Sequence, residues 1–155
     1  MHIPDWQWLR NPAIFAGVGA WVFTQCVKLL CNFAETRKID FSYLVRLGGM
    51  PSSHSAAVCA LATSVGLMAG FDTPVFATSL GLALVVMFDA QTVRRSAGLQ
   101  ARILNQIIEH LVKERRFPEH KLAELFGHTR LEVFLGGMIG ILLALLVHGW
   151  LGCPA

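Results

Sequence analysis

The chain has 155 residues, of which 54% are hydrophobic and 15% charged, with a net charge of +3 and a mean hydropathy of +0.54. This length suggests a single domain over residues 1–155, and so apolar a composition excludes an ordinary soluble protein. We therefore expect an all-α integral membrane protein.

Four apolar runs are candidates for membrane-spanning helices, because about 20 largely apolar helical residues cross a hydrocarbon core of roughly 30 Å. Three of them approach that length. The other is shorter and is either a tilted span or a helix buried among its neighbours. In chain order the predicted spans are about 12–33, 53–71, 74–88 and 131–151, of which 74–88 is the short one. The predicted architecture is a bundle of about four transmembrane helices.

Inside the first predicted span lies a charged residue, Lys28. A lysine near a span end can snorkel to the membrane surface. An ionisable group within a membrane helix is nevertheless a functional candidate by default.

A polar stretch, GGMPSSHSA at 48–56, opens the second span. Pro51 suits a helix start and Ser52 or Ser53 is a natural N-cap, so the free N–H groups there form a cradle for an anion. Capping alone explains the serines. It does not explain His54, whose imidazole titrates near neutral pH and can protonate a leaving oxygen.

Charged residues also follow the third span. Asp89 is most simply an interfacial charge paired with Arg94 or Arg95, and a catalytic or metal-binding role is the alternative. Arg94 and Arg95 follow directly on this span, at the same interface as the polar stretch that opens the second span.

The linker 89–130 contains apolar residues at helical spacing over 99–117, which predicts an amphipathic helix on the membrane surface or packed on the bundle. Pro118 ends this helix. Residues 119–129 then predict a short helix.

A second histidine stands at the mouth of the last span, in GHTRLEV at 127–133. Thr129 and Glu132 have the T-x-x-E spacing of a capping box. His128 and Glu132 are four residues apart, so the carboxylate reaches the imidazole if the helix starts early enough. Both interpretations of Glu132 stay open at this point.

Two glycine pairs permit close helix contacts within the chain or between subunits. They are Gly66-x-x-x-Gly70 and Gly136-x-x-x-Gly140.

Basic residues are distributed very unevenly between the two sides of a four-span bundle. Arg10 alone lies on the side of the termini. The linkers on the other side carry Arg37, Lys38, Arg46, Arg94, Arg95, Arg102, Lys113, Arg115, Arg116, Lys121 and Arg130. The positive-inside rule places both linkers in the cytoplasm.

These motifs carry a resemblance to a known superfamily. PSSH at 51–54 and H-x-x-x-E at 128–132 are similar to the PSGH and final H-x-x-x-D motifs of the type 2 phosphatidic acid phosphatase and vanadium haloperoxidase superfamily. GGMPSSHSA, DAQTVRRSAGLQA and GHTRLEVFLGG, in this order, resemble its small, divergent membrane branch.

The resemblance implies a role for each matching residue. His128 is the nucleophile that attacks phosphorus, Glu132 orients it, and His54 protonates the leaving oxygen. The implied phosphate ligands are Lys28, Ser52, Ser53 and one of Arg94 or Arg95, and no metal or cofactor is required.

The chain departs from the superfamily pattern at two arginines. The usual K-x6-R-P motif is absent after Lys28, and Leu122 stands where an arginine usually precedes the last histidine. Arg94 or Arg95 is a substitute. The chain is also short beside the six-helix core of the superfamily, so a homodimer is one way to complete the bundle.

We therefore expect a lipid phosphate phosphatase with its site at the cytoplasmic face of a bacterial inner membrane. Its expected partners are membrane lipids and a lipid phosphate, most simply phosphatidylglycerophosphate, and no nucleic acid. The alternatives are a non-catalytic lipid- or anion-binding protein, a prenyl diphosphate phosphatase, and a metal-dependent hydrolase using Asp89 with His54 or His128.

Overall fold

The computed structural model describes residues 11–37, 50–113 and 128–151, and these form helices without any strand. The five helices are α1 (Pro12–Thr36), α2 (Ser53–Ala69), α3 (Pro74–Gln91), α4 (Val93–Lys113) and α5 (Arg130–Leu151). The prediction of an all-α membrane bundle is confirmed.

Local capping chemistry sets the helix starts. Asn11 caps α1, with its side chain accepting a hydrogen bond from Ala13 N at 2.9 Å, and Pro12 occupies the first turn. Thr73 caps α3 in the same way, with Oγ1 accepting from Phe76 N at 3.3 Å. A proline in the first turn needs no backbone donor, so it fits both starts.

Helix α2 is the centre of the bundle. It contacts α1, α3 and α5, and α1 also contacts α5, whereas α4 contacts α3 alone among the five described helices. Lys28 of α1 meets Ser53 of α2, while Gly17 lies against Ala57 and Leu61, so α1 runs antiparallel to α2.

Helices α2 and α5 are parallel and packed through small residues. A side chain at Gly136 or Gly140 would collide with the backbone carbonyl of Ser52 or Ala56, respectively. Twelve residues beyond Ser52, Ser64 Oγ lies 2.6 Å from His148 Nε2. These contacts are spaced by four and then eight residues along both helices, so the Gly136–Gly140 pair serves packing within the chain.

Three helical segments are long and apolar enough to cross a membrane: Pro12–Ala34, the run Pro74–Glu109, and Arg130–Trp150. The apolar helix Ser53–Ala69 is shorter, with 17 residues. At 1.5 Å per residue it is about 25 Å long, less than a full hydrocarbon core.

The second and third helices differ by two or three residues at their ends from the approximate predicted spans. Helix α2 ends at Ala69, and Gly70 caps it with a φ of 95°, a conformation that glycine adopts without strain. Helix α3 extends past residue 88 to Gln91. Only Thr92 separates it from α4.

The predicted linker 89–130 is helical from its beginning. Helix α4 starts at Val93, six residues before the predicted start at 99, and ends at Lys113. Residues 114–127, which include most of the predicted short helix, lie outside the described residues. Helix α1 continues to Thr36, three residues beyond the predicted end at 33.

Candidate functional site

The buried face of α1 changes from alanine to polar side chains along its length. Its first half buries Ala13, Ala16 and Ala20, and its second half buries Thr24, Gln25, Lys28 and Asn32. Their spacing of three to four residues puts them on one face of the helix. Polar side chains inside a membrane helix usually face other helices, and this polar half lies beside the start of α2.

Lys28 is enclosed in the bundle, with 5% of its surface exposed. Its Nζ donates a hydrogen bond to Ser53 Oγ at 3.3 Å, and the ammonium interacts electrostatically with the Glu132 carboxylate. Lys28 is eight residues from the end of α1, which is about 12 Å along the axis. The side chain therefore does not snorkel but places a cation below the end of the bundle.

The two serines at the start of α2 make different interactions. Ser52 is the N-cap, with Oγ accepting from Ser55 N at 3.4 Å and from Ser55 Oγ at 3.0 Å. Ser53 is not the cap, and its hydroxyl accepts from Lys28. His54 follows in the first turn and is half-buried.

The start of α5 contains a buried imidazole paired with a carboxylate. His128 Nδ1 lies 2.9 Å from Glu132 Oε2, and 4% of the His128 surface is exposed. Because a carboxylate only accepts hydrogen bonds, this contact puts a proton on Nδ1 and leaves the lone pair of the neutral ring on Nε2.

Glu132 also forms the capping box. Thr129 N donates to the same Oε2 at 3.2 Å, and Glu132 N donates to Thr129 Oγ1 at 3.3 Å. The two interpretations that the sequence left open are therefore compatible. One carboxylate oxygen closes the helix start and binds the imidazole.

Backbone hydrogen bonds join these helix ends to one another. Ser52 N donates to the Glu132 carbonyl at 3.1 Å, which ties the start of α2 to the first turn of α5. His128 N donates to the Ala90 carbonyl at 3.3 Å, which ties the start of α5 to the end of α3. The structure thus brings the ends of four helices together around the polar side chains.

The structure describes the other predicted site residues less completely. Asp89 is half-buried in the last turn of α3, next to Ala90. Arg94 and Arg95 lie in the first turn of α4, but their side chains are outside the description. The same is true of Leu122, so the arginine substitution stays a prediction.

Three buried polar residues of α1 were missed by the sequence reasoning. They are Thr24, Gln25 and Asn32. Thr24 and Asn32 stand four residues before and after Lys28 in an otherwise apolar run, and this periodicity is the signal that was available. The Ser64–His148 pair in the other half of the bundle was missed as well.

The fold and this cluster define a helical membrane protein with a polar site enclosed at one end of its bundle. Residues 9–143 match the model of a family described as the Divergent PAP2 family, and the chain belongs to that family. The predicted resemblance is confirmed.

A bacterial relative covers nearly the whole chain. The relative is the uncharacterized membrane protein YuiD of Bacillus subtilis (strain 168), to which the chain is 43% identical over 150 residues. The match covers 90% of this chain and 95% of the relative. No solved structure matches the chain. Membership in the family and location in a membrane are thus supported independently of the site geometry.

Proposed function

We propose that this protein is a lipid phosphate phosphatase that hydrolyses a phosphomonoester through a phosphohistidine on His128. The observation that supports this best is the Ser52 N to Glu132 O hydrogen bond of 3.1 Å, because it joins two pairs of chemically complementary groups. On one side is a histidine with a carboxylate on Nδ1, and on the other is the Lys28–Ser53 pair. Phosphoryl transfer needs an oriented nucleophile beside groups that stabilise negative charge.

In the proposed first step, the Nε2 lone pair of His128 attacks phosphorus. The bond between phosphorus and the lipid oxygen breaks, and this oxygen keeps the electron pair and takes a proton from His54. In the second step, His54 takes a proton from water, whose oxygen attacks the phosphohistidine. The P–N bond breaks, its electrons return to Nε2, and inorganic phosphate leaves.

Negative charge on the phosphoryl oxygens is stabilised by the groups around the start of α2. A helix N-terminus offers free N–H groups and the positive end of its dipole. The proposed ligands are the side chains of Lys28, Ser52, Ser53, Arg94 and Arg95, with Asp89 in a supporting position. Glu132 holds the His128 ring and stabilises its positive charge when Nε2 is bonded to phosphorus.

The substrate we propose is phosphatidylglycerophosphate, which is made on the cytoplasmic leaflet, and the positive-inside rule supports a site on that side. Two features of the site favour a lipid. The first is that Lys28 lies about 12 Å inside the end of α1, so the proposed phosphate site is recessed into the bundle. An apolar groove of about 340 Å³ follows the α1–α2 contact, with Gly17, Trp21, Ala57 and Leu61 in its lining. Ala57 is one turn from Ser53, so acyl chains can lie in this groove close to the phosphate.

A second candidate is a non-catalytic membrane protein that binds a lipid phosphate. The sequence departures favour it, because K-x6-R-P is absent and Leu122 replaces an arginine. Such a protein would bind the lipid without releasing phosphate.

The test is phosphate release from phosphatidylglycerophosphate in detergent micelles by the purified protein. We expect His128→Ala and His54→Ala each to lower turnover about 1,000-fold or more. His148→Gln is the matched control, since His148 is buried away from the site against Ser64, and it should keep turnover within a few fold.

Trapping of the intermediate completes this test. Acid-labile phosphate should form on the wild-type protein and be absent from His128→Ala. Binding without release would favour the non-catalytic candidate, and loss of turnover on chelation would favour a metal-dependent hydrolase. Faster release from a prenyl diphosphate would change the substrate but not the chemistry.

A further inference from the structure

Asn32 is a buried residue of α1 whose side-chain amide has no hydrogen-bond partner among the described residues. It is 6% exposed and lies one turn beyond Lys28 on the same face of α1. Its backbone carbonyl accepts from Thr36 Oγ1 at 2.8 Å. Across residues 11–37, 50–113 and 128–151, however, its side-chain amide makes no hydrogen bond.

The other polar residues on this face differ from Asn32 in having partners. Thr24 Oγ1 donates to the Ala20 carbonyl at 2.7 Å, and Lys28 donates to Ser53. An amide without a partner among the described residues keeps its donor and acceptor groups available to a ligand or to water. The amide of Asn32 is therefore suited to a ligand.

The position of Asn32 indicates which part of a ligand it meets. Four residues of helix put it about 6 Å from Lys28, toward the end of α1, and helical side chains tilt toward the N-terminus. The amide thus lies between Lys28 and the end of the bundle. If the phosphoryl group is at Lys28 and Ser53, the next atoms outward belong to the group esterified to it.

The hydrogen-bonding chemistry of an amide also indicates which chemical group of the ligand Asn32 binds. A phosphoryl oxyanion can accept from the amide N–H groups but cannot donate to the amide oxygen, whereas a hydroxyl both donates and accepts and so can satisfy both parts of the amide. We propose that Asn32 binds a hydroxyl of the substrate head group. Asn32 is then a specificity residue, and the substrate class is a polyol phosphate monoester. This inference rests on the proposed phosphate site and deepens the proposed function.

The test compares two lipid phosphates. Phosphatidylglycerophosphate has a hydroxyl next to its phosphomonoester, and farnesyl monophosphate has none. We expect Asn32→Leu to lower kcat/KM about tenfold for the first, mainly through KM, and to leave the second within twofold. Asn32→Gln should recover part of the loss, because it keeps the amide. An equal loss with both lipids, or no loss with either, would overturn the proposal.

A control variant on the same helix isolates the amide. Cys31 is the preceding residue and is exposed on α1. Cys31→Leu introduces the same side chain next to Asn32 and should not change the preference between the two lipids. A loss of preference in this variant would contradict a specific role for Asn32.

Thermal unfolding in detergent separates this inference from the phosphatase proposal. sn-Glycerol 3-phosphate should raise the Tm of the wild-type protein more than inorganic phosphate does, and Asn32→Leu should abolish the difference. If this occurs in a protein that hydrolyses neither lipid, the phosphatase proposal fails and the Asn32 proposal stands. Without ligand, Asn32→Leu should unfold at the same or a higher temperature, since the amide makes no hydrogen bond with the described residues that the substitution would remove. A lower Tm would indicate a structural role and contradict the proposal.

Discussion

At the scale of single residues, Glu132 combines a structural and a proposed chemical task. Its Oε2 accepts from His128 Nδ1 and from Thr129 N, and its backbone carbonyl accepts from Ser52 N. A substitution at Glu132 therefore disturbs both the helix start and the imidazole. A substitution at Thr129 disturbs only the helix start, because its hydroxyl binds Glu132 N.

We predict that Glu132→Gln lowers turnover strongly, whereas Thr129→Ala lowers stability with little effect on turnover. Glu132→Gln removes the charge that stabilises His128 and should lower turnover about 100-fold, since partners of this kind typically contribute 10–100-fold. Thr129→Ala should lower the free energy of unfolding by about 1 kcal/mol and keep turnover within a few fold. Phosphate release and thermal unfolding measure the two effects. Equal losses of turnover would contradict the proposed role of Glu132.

At the scale of the helices, the contact between α2 and α5 positions the site. Gly136 and Gly140 approach the carbonyls of Ser52 and Ala56, and the Ser64–His148 hydrogen bond continues the same register. In a membrane, close packing of this kind replaces the hydrophobic effect as the source of helix association. Any separation of these helices would move Ser52 away from Glu132.

We predict that Gly140→Ala destabilises the protein by about 1–3 kcal/mol, because the new methyl group meets backbone that cannot rotate away. It should also reduce turnover. Gly149→Ala on the same helix is the control: its Cβ would meet nothing within 4 Å, so it should be neutral or slightly stabilising. Thermal unfolding in detergent distinguishes the two. Similar Tm values would mean that the close contact does not contribute to stability.

Helix α4 has the amphipathic character that its sequence predicts. It packs only on α3, and several apolar side chains on it are exposed: Leu99, Ile103, Leu104 and Ile107. Its location on the membrane surface stays a prediction.

At the scale of the whole molecule, the short helix α2 explains how a polar site lies within a membrane protein. α2 is surrounded by α1, α3 and α5, so it does not need the length of a lipid-facing span. Its N-terminus therefore lies below the end of α1, and the site is recessed. A homodimer that completes the bundle stays a prediction.

The predicted orientation can be tested with single cysteines in a chain whose four native cysteines are replaced. Arg37→Cys lies at the end of α1 nearest the site, and Asp72→Cys lies in the turn between α2 and α3, at the other end of the bundle. In intact cells a membrane-impermeant maleimide should label Asp72→Cys, and label Arg37→Cys only after permeabilisation, because the basic linkers favour the cytoplasm. The reverse pattern would place the site on the outer face.

The sequence by itself determined the class of protein and much of its local structure. Long apolar runs require a membrane environment, and caps such as Asn11 and Thr73 act within one turn of their own helix. The same locality put the Glu132 carboxylate within reach of His128, four residues away.

Only the tertiary structure decided which helix faces meet. Lys28 and Ser53 are 25 residues apart, and Ser64 and His148 are 84 apart. Apolar composition drives a helix into lipid without selecting its neighbours, and small residues permit several packings. The register of α2 against α5 and the burial of Asn32 therefore depend on contacts along whole helices, which no local pattern encodes.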